Sequence, residues 1–265
     1  MNVRYFFPLI FIFLVSSCST MNQDPTEGWS AKKLFEEAKN AMYVGNYTQA
    51  SNYLETLEAR YPFGQYALQA QFEMAYSYHK AEKFDEAIIT LDRFIKEHPR
   101  NSRIDYAYYL RGLSYFKSGT TFFETFVPRD LSTRDQASVQ SAFDDFETIV
   151  RRYSNSQYFQ DARQRMVFLR NEMSRHDLKI AKYYFRRNAH IAVINRVKNM
   201  LDRFDGAPTI PDGLVLMTQS YKQLNMTDEA ANTIKIIKQN YPKHPGLKQF
   251  KQANNALLQQ SDDVN

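Results

Sequence analysis

The chain has 265 residues, 43% of them hydrophobic, and a net charge of +5, enough apolar material to bury a sizeable core in one large or two small domains. A single cysteine excludes an intrachain disulfide framework and a Cys-x-x-Cys metal site. Only 8 Gly and 9 Pro stand against 20 Phe and 18 Tyr, which suits long helices joined by short turns, with aromatic rings for helix packing or a peptide-binding groove.

The first element is an export signal. Arg4 precedes an apolar run from Tyr5 to Val15 that Pro8 interrupts. A spanning helix needs about 20 apolar residues, so the run reads as a signal peptide over residues 1–17. Its end, Leu14-Val15-Ser16-Ser17-Cys18, resembles a bacterial lipobox. That resemblance implies removal of residues 1–17 and acylation of Cys18, which is held stably by more than one chain. An ordinary secretory signal with an incidental cysteine is the alternative. Ser19, in place of the Asp that retains many lipoproteins at the inner membrane, implies the inner leaflet of the outer membrane, facing the periplasm. Residues 19–28 are polar and read, with Cys18, as a flexible lipidated tether over 18–28.

A repeat follows. Tyr47 and Phe84, Ala50 and Ala87, and Pro62 and Pro99 are each 37 residues apart. The spacing resembles the tetratricopeptide repeat, a helix-turn-helix in which small residues let two helices approach and a proline closes the unit. The small position of the first helix falls on Ala38, Ala75, Gly112, Ala181 and Thr218. That of the second falls on Ala50, Ala87, Ala142, Val193 and Ala230. The fold class expected is therefore all-α, a superhelical solenoid of about five repeats. Each unit alone has too little core and gains it by stacking.

Residues 29–157 hold repeats 1–3. The third carries an insert of about 18 residues, near 119–136, with Phe122, Phe123 and Phe126. These rings either cap their own repeat or touch a partner. Residues 158–242 hold repeats 4 and 5. The apolar period from Tyr158 through Ala162, Met166 and Leu169 towards Tyr184 predicts one helix of roughly thirty residues. Residues 243–265 read as a C-terminal tail.

Catalytic or metal chemistry has little to work with. The five histidines are scattered over different repeats, with no His-x-x-x-His spacing. Adjacent acids such as Asp144-Asp145 diverge on a helix, so the reading is no enzyme, no metal and no cofactor beyond the lipid. Inward-facing template positions fall on Phe35, Tyr43, Phe72, Tyr76, Tyr106 and Tyr109, each of which either lines a peptide-binding trough or packs within the stack. Residues 151–205 carry thirteen basic and five acidic side chains, a face suited to an acidic protein. The compartment and the lack of a reading motif disfavour nucleic acid.

Several segments together resemble one family. They are Tyr61-Pro62-Phe63-Gly64-Gln65-Tyr66, Asp92-Arg93-Phe94-Ile95, Arg111-Gly112-Leu113, Asp130-Leu131-Ser132-Thr133-Arg134-Asp135 and Ala192-Val193-Ile194-Asn195-Arg196-Val197. The chain resembles the BamD (ComL/YfiO) lipoproteins of the outer-membrane β-barrel assembly machinery, from the lipobox to about residue 240. The resemblance implies a scaffold that docks on a POTRA domain of the barrel protein BamA through its C-terminal repeats, with Arg196, Arg187 and Asn195 at the interface. It also implies accessory lipoproteins as partners and unfolded barrel proteins on the N-terminal repeats. A peptidoglycan-associated or competence lipoprotein is the alternative.

Overall fold

Four three-residue turns share one backbone solution. The N–H groups of Asn46, Lys83, Ala189 and Met226 donate to the carbonyls of Ala41, Tyr78, Tyr184 and Tyr221 at 2.8–3.0 Å, the closure that ends a helix by turning the chain left-handed. The residue before each donor takes that conformation: Gly45, Glu82, Asn188 and Asn225, with φ between 57° and 79°. Gly45 and Glu82, like Asn188 and Asn225, are 37 residues apart, so the sequence period is a period of turns. Gly has no Cβ and Asn can offset the cost with its short polar side chain, whereas the Glu Cβ crowds the following carbonyl oxygen with no such relief. Glu82 is exposed, so Glu82→Gly is expected to raise the unfolding free energy in urea by about 0.5–1 kcal/mol. A loss of stability would contradict the strain argument.

The computed structural model describes residues 24–118 and 136–250. Ten helices lie wholly within them, and the described residues contain no strand. They form five consecutive helix-turn-helix pairs: α1 (Ala31–Tyr43) with α2 (Tyr47–Arg60), α3 (Ala67–Lys80) with α4 (Phe84–Glu97), α5 (Ile104–Ser118) with α6 (Gln136–Arg152), α7 (Phe159–Arg186) with α8 (His190–Arg203), and α9 (Ile210–Gln223) with α10 (Thr227–Asn240). This is the tetratricopeptide arrangement the spacing predicts. The long helix of the fourth repeat is α7, with 28 residues.

Local chemistry explains the helix starts. Ser30 and Asn46 accept from the N–H groups of Lys33 and Gln49 at 3.2 and 3.1 Å, capping α1 and α2. Lys83 and Met226 provide no side-chain cap to α4 and α10. Those helices instead carry Asp85-Glu86 and Asp228-Glu229 in their first turns, where negative charge favours the helix dipole.

The chain divides into two compact units, one ending at Met74 and the other starting at Ala75. In the N-terminal unit Leu34, Ala38, Ala50, Leu54 and Leu57 are fully buried between α1 and α2. In the C-terminal unit a continuous core runs from Val139, Ala142 and Phe146 through Leu169, Val193 and Met200 to Leu214 and Ile237. Helix α7 packs on α6, α8 and α9, so the first helices of the fourth and fifth pairs touch directly, as stacked repeats require. Each small position read from the repeat is buried. At Gly112 a Cβ would sit 3.0 Å from the Phe146 ring and 3.3 Å from the Asp145 Cβ, so a larger residue would push the Phe146 ring aside by a few tenths of an ångström or hold α5 and α6 further apart.

Both termini depart from the sequence expectation. Where a free tether is expected through residue 28, residues 24–28 form a turn clasped by Arg60. Where a tail is expected from residue 243, Leu247 and Phe250 are buried and Lys222 sits 5.1 Å above the Phe250 ring. The expected signal peptide, Cys18 and the insert phenylalanines Phe122, Phe123 and Phe126 lie outside the described residues.

Candidate partner-binding surfaces

The C-terminal candidates sit on α7, α8 and the turn between them. Arg196, on α8, donates from Nη1 to Asp177 Oδ1 of α7 at 3.2 Å. Its side chain is 30% exposed and that of Asp177 only 7%. The second oxygen of Asp177 is buried with no hydrogen-bond partner among the described residues, so Arg196 alone offsets the cost of placing this carboxylate out of water. The guanidinium is thereby fixed to the core at one nitrogen while part of it still meets solvent. Arg187 is exposed. Its Nε and Nη2 donate to the Tyr183 hydroxyl at 3.3 and 3.2 Å, with the guanidinium 5.5 Å from the ring centre. Asn195 is exposed, as is Ile191 one turn before it on α8. The three predicted interface residues are therefore all at least partly accessible, and Ile191 and Tyr183 add apolar surface beside them.

The aromatic candidates divide between the two units. In the N-terminal unit Phe35 packs at 5.4 Å on Tyr66, and Tyr43 is 92% exposed at the end of α1. Phe72 is 4% exposed: it is a core residue and presents no open ring. In the C-terminal unit Tyr76 is half-buried. Tyr106 and Tyr109 stack on Tyr158, with ring centres 5.0 and 4.6 Å away. The Tyr109 hydroxyl donates to Asp161 at 2.7 Å. Burial raises the Tyr109 pKa, and the Asp161 bond raises it further. Burial works against the Asp161 carboxylate, yet bonds from Arg165 and Tyr109 hold its pKa below the usual range. Tyr106 and Tyr109 thus pack within the stack, closing α5 against the start of α7. The template marks a residue's face but not the neighbouring repeat's Tyr158, which the sequence reading did not single out for that role.

Other ionisable groups serve packing. Arg111 on α5 donates from Nε and Nη2 to the two oxygens of buried Asp145 on α6, at 2.9 and 2.5 Å, and from Nη1 to Asp92 on α4 at 2.5 Å. Burial opposes its charge, but the two carboxylates outweigh burial and raise its pKa. His79 Nδ1 lies 2.8 Å from the Ser114 hydroxyl, which itself donates to the Leu110 carbonyl, so the ring nitrogen is the donor. Burial, with Lys117 and Lys80 near, lowers the His79 pKa to about 4. Neither Asp177 nor Asp145 carries a local sequence signal. Their partners lie 19 and 34 residues away.

Comparison with known proteins finds relatives that match most of the chain. Three relatives bear the name outer membrane protein assembly factor BamD. That of Neisseria meningitidis serogroup B is 35% identical over 240 residues, covering 89% of this chain and 90% of its own. That of Xylella fastidiosa (strain Temecula1) is 34% identical over 238 residues, with 90% and 81% covered. That of Vibrio cholerae is 32% identical over 232 residues, with 88% and 96% covered. The model of the YfiO family, described as outer membrane lipoprotein, matches residues 28–236, and the chain belongs to that family.

Proposed function

We propose that the chain is a non-catalytic scaffold of outer-membrane β-barrel assembly, anchored by lipid on Cys18 in the inner leaflet of the outer membrane. The observation that carries this reading is the match to assembly factors across nine-tenths of the chain, supported by the run Leu14-Val15-Ser16-Ser17-Cys18, which resembles a lipobox and precedes the matched repeats. Its C-terminal repeats dock on the periplasmic POTRA region of a BamA-type barrel protein through Arg196, Arg187 and Asn195. Its N-terminal repeats receive unfolded barrel proteins, with Tyr43 the most accessible of the candidate rings. Accessory lipoproteins are further partners. Anchoring raises the effective concentration of each bound chain at the barrel protein, so catalysis of a covalent step is not needed.

Arg187 is the clean probe of the docking face, because it is exposed and holds no buried group. Arg187→Glu, combined with Asn195→Asp, is expected to weaken binding to the partner's periplasmic arm about fivefold at low salt, with the melting temperature unchanged. Equal affinity in titration of the purified proteins would remove both residues from the interface.

A further inference from the structure

The N-terminal unit holds its own leader. Arg60, the last residue of α2, donates from Nη1 to the Thr26 carbonyl at 2.6 Å, from Nη2 to the Thr26 hydroxyl at 3.1 Å, and from Nη2 to Asp24. Asp24 Oδ1 accepts from the Thr26 N–H at 2.9 Å and from its hydroxyl at 2.6 Å. Thr26 is 5% exposed. Three residues on, the Trp29 carbonyl accepts from the Tyr61 hydroxyl at 2.9 Å, and the Trp29 ring packs at 5.7 Å on Tyr53 with Lys33 Nζ 4.2 Å above it. The polypeptide that leads to Cys18 is therefore fastened to the C-terminal end of α2.

This clasp sets a length. A chain from Cys18 to Asp24 spans at most about 20 Å, whereas one free to Ser30, where α1 begins, would span about 40 Å. The same end of the unit carries an exposed apolar group. Phe63 is 91% exposed, and Tyr61 and Leu68 are each 37% exposed. Phe63 follows Arg60 by three residues, about 10 Å of chain at most. Tyr43 is equally exposed but sits at the opposite end of the helix pair, about 20 Å away along α1 and α2.

We infer that the loop after α2, with Phe63 at its tip and Tyr61 and Leu68 beside it, rests in the surface of the phospholipid monolayer that holds the anchor, and that the Asp24–Arg60 clasp keeps it there. This rests on Cys18 being the lipid anchor. Aromatic rings sit well at the water–lipid boundary, and an anchor plus a second weak contact orients a protein where the anchor alone does not. A leader shortened to about 20 Å leaves the clasped end as the part of the unit nearest the headgroups.

The test uses the full lipidated chain in vesicles of phosphatidylethanolamine and phosphatidylglycerol. Acylation occupies the Cys18 thiol, so in Phe63→Cys or Tyr43→Cys the new thiol is the only one free for a bimane label. Flotation with the vesicles tests the anchor separately. In floated protein, headgroup spin-labelled lipid should quench bimane at position 63 several-fold more than at position 43. Adding Asp24→Ala should abolish that difference while flotation persists. Arg60→Ala should do the same. Equal quenching at the two positions would overturn the inference even where flotation succeeds. So would shielding of position 63 only when a protein partner is added. Failure to float would overturn the anchor itself. Quenching that survives both clasp variants would remove the role assigned to Asp24 and Arg60.

Discussion

Asp145→Ala is expected to lower the free energy of unfolding in urea by about 3–5 kcal/mol. Asp145 is buried on α6 and meets Arg111 with both oxygens. Removing it leaves a guanidinium that is only 18% exposed facing one remaining acid. Asp92, the second acid on Arg111, is half exposed, so solvent screens it and Asp92→Ala should cost less than about 1 kcal/mol. The asymmetry is the argument: one arginine, two carboxylates, and burial deciding which matters. Equal losses from the two variants would show that burial does not set the strength of this network. Gly112, beside Arg111, lets α5 come close enough for the contact, so the Arg111-Gly112 pair acts as one device.

Much of this architecture is legible in the sequence because repetition multiplies weak signals. The 37-residue period finds the turns, the small positions Ala38 to Thr218 mark where helices approach, and the apolar run after Tyr158 marks α7. Each of these is a local pattern. What the sequence hides is which residue faces which. Tyr106 and Tyr109 occupy inward template positions, but Tyr158 of the next repeat fills the space against them. Phe72 sits on an inward position and is buried. The polar stretch around Asp24 looks free because its partner, Arg60, lies 36 residues on. Leu247 and Phe250 follow two prolines and lie in a segment that ends in polar residues, yet they extend the core. The two most exposed rings among the described residues, Tyr43 and Phe63, are likewise indistinguishable by type from the buried ones.

Arg196 carries the second large effect, and it has two consequences that must be separated. Removing its charge, as in Arg196→Ala, leaves Asp177 buried without the one hydrogen-bonded partner it has among the described residues, which should cost about 3 kcal/mol of stability. Reversing it, as in Arg196→Glu, adds repulsion to that cost. Weak partner binding by either variant therefore reports the fold as well as the docking face. Neutralising both members removes the difficulty, since exchanging a buried ion pair for a neutral pair of similar shape is often nearly neutral in stability. Asp177→Asn with Arg196→Gln should unfold within about 1 kcal/mol of the native chain.

The most direct measurement is the affinity of that double variant for the periplasmic POTRA arm of the barrel protein, by calorimetric titration beside the native chain. If the C-terminal repeats hold their partner through the exposed part of the Arg196 guanidinium, the double variant should keep its stability and bind at least tenfold more weakly. Native affinity at native stability would contradict that role for Arg196, and with the Arg187 and Asn195 variants also binding normally it would remove the docking surface altogether.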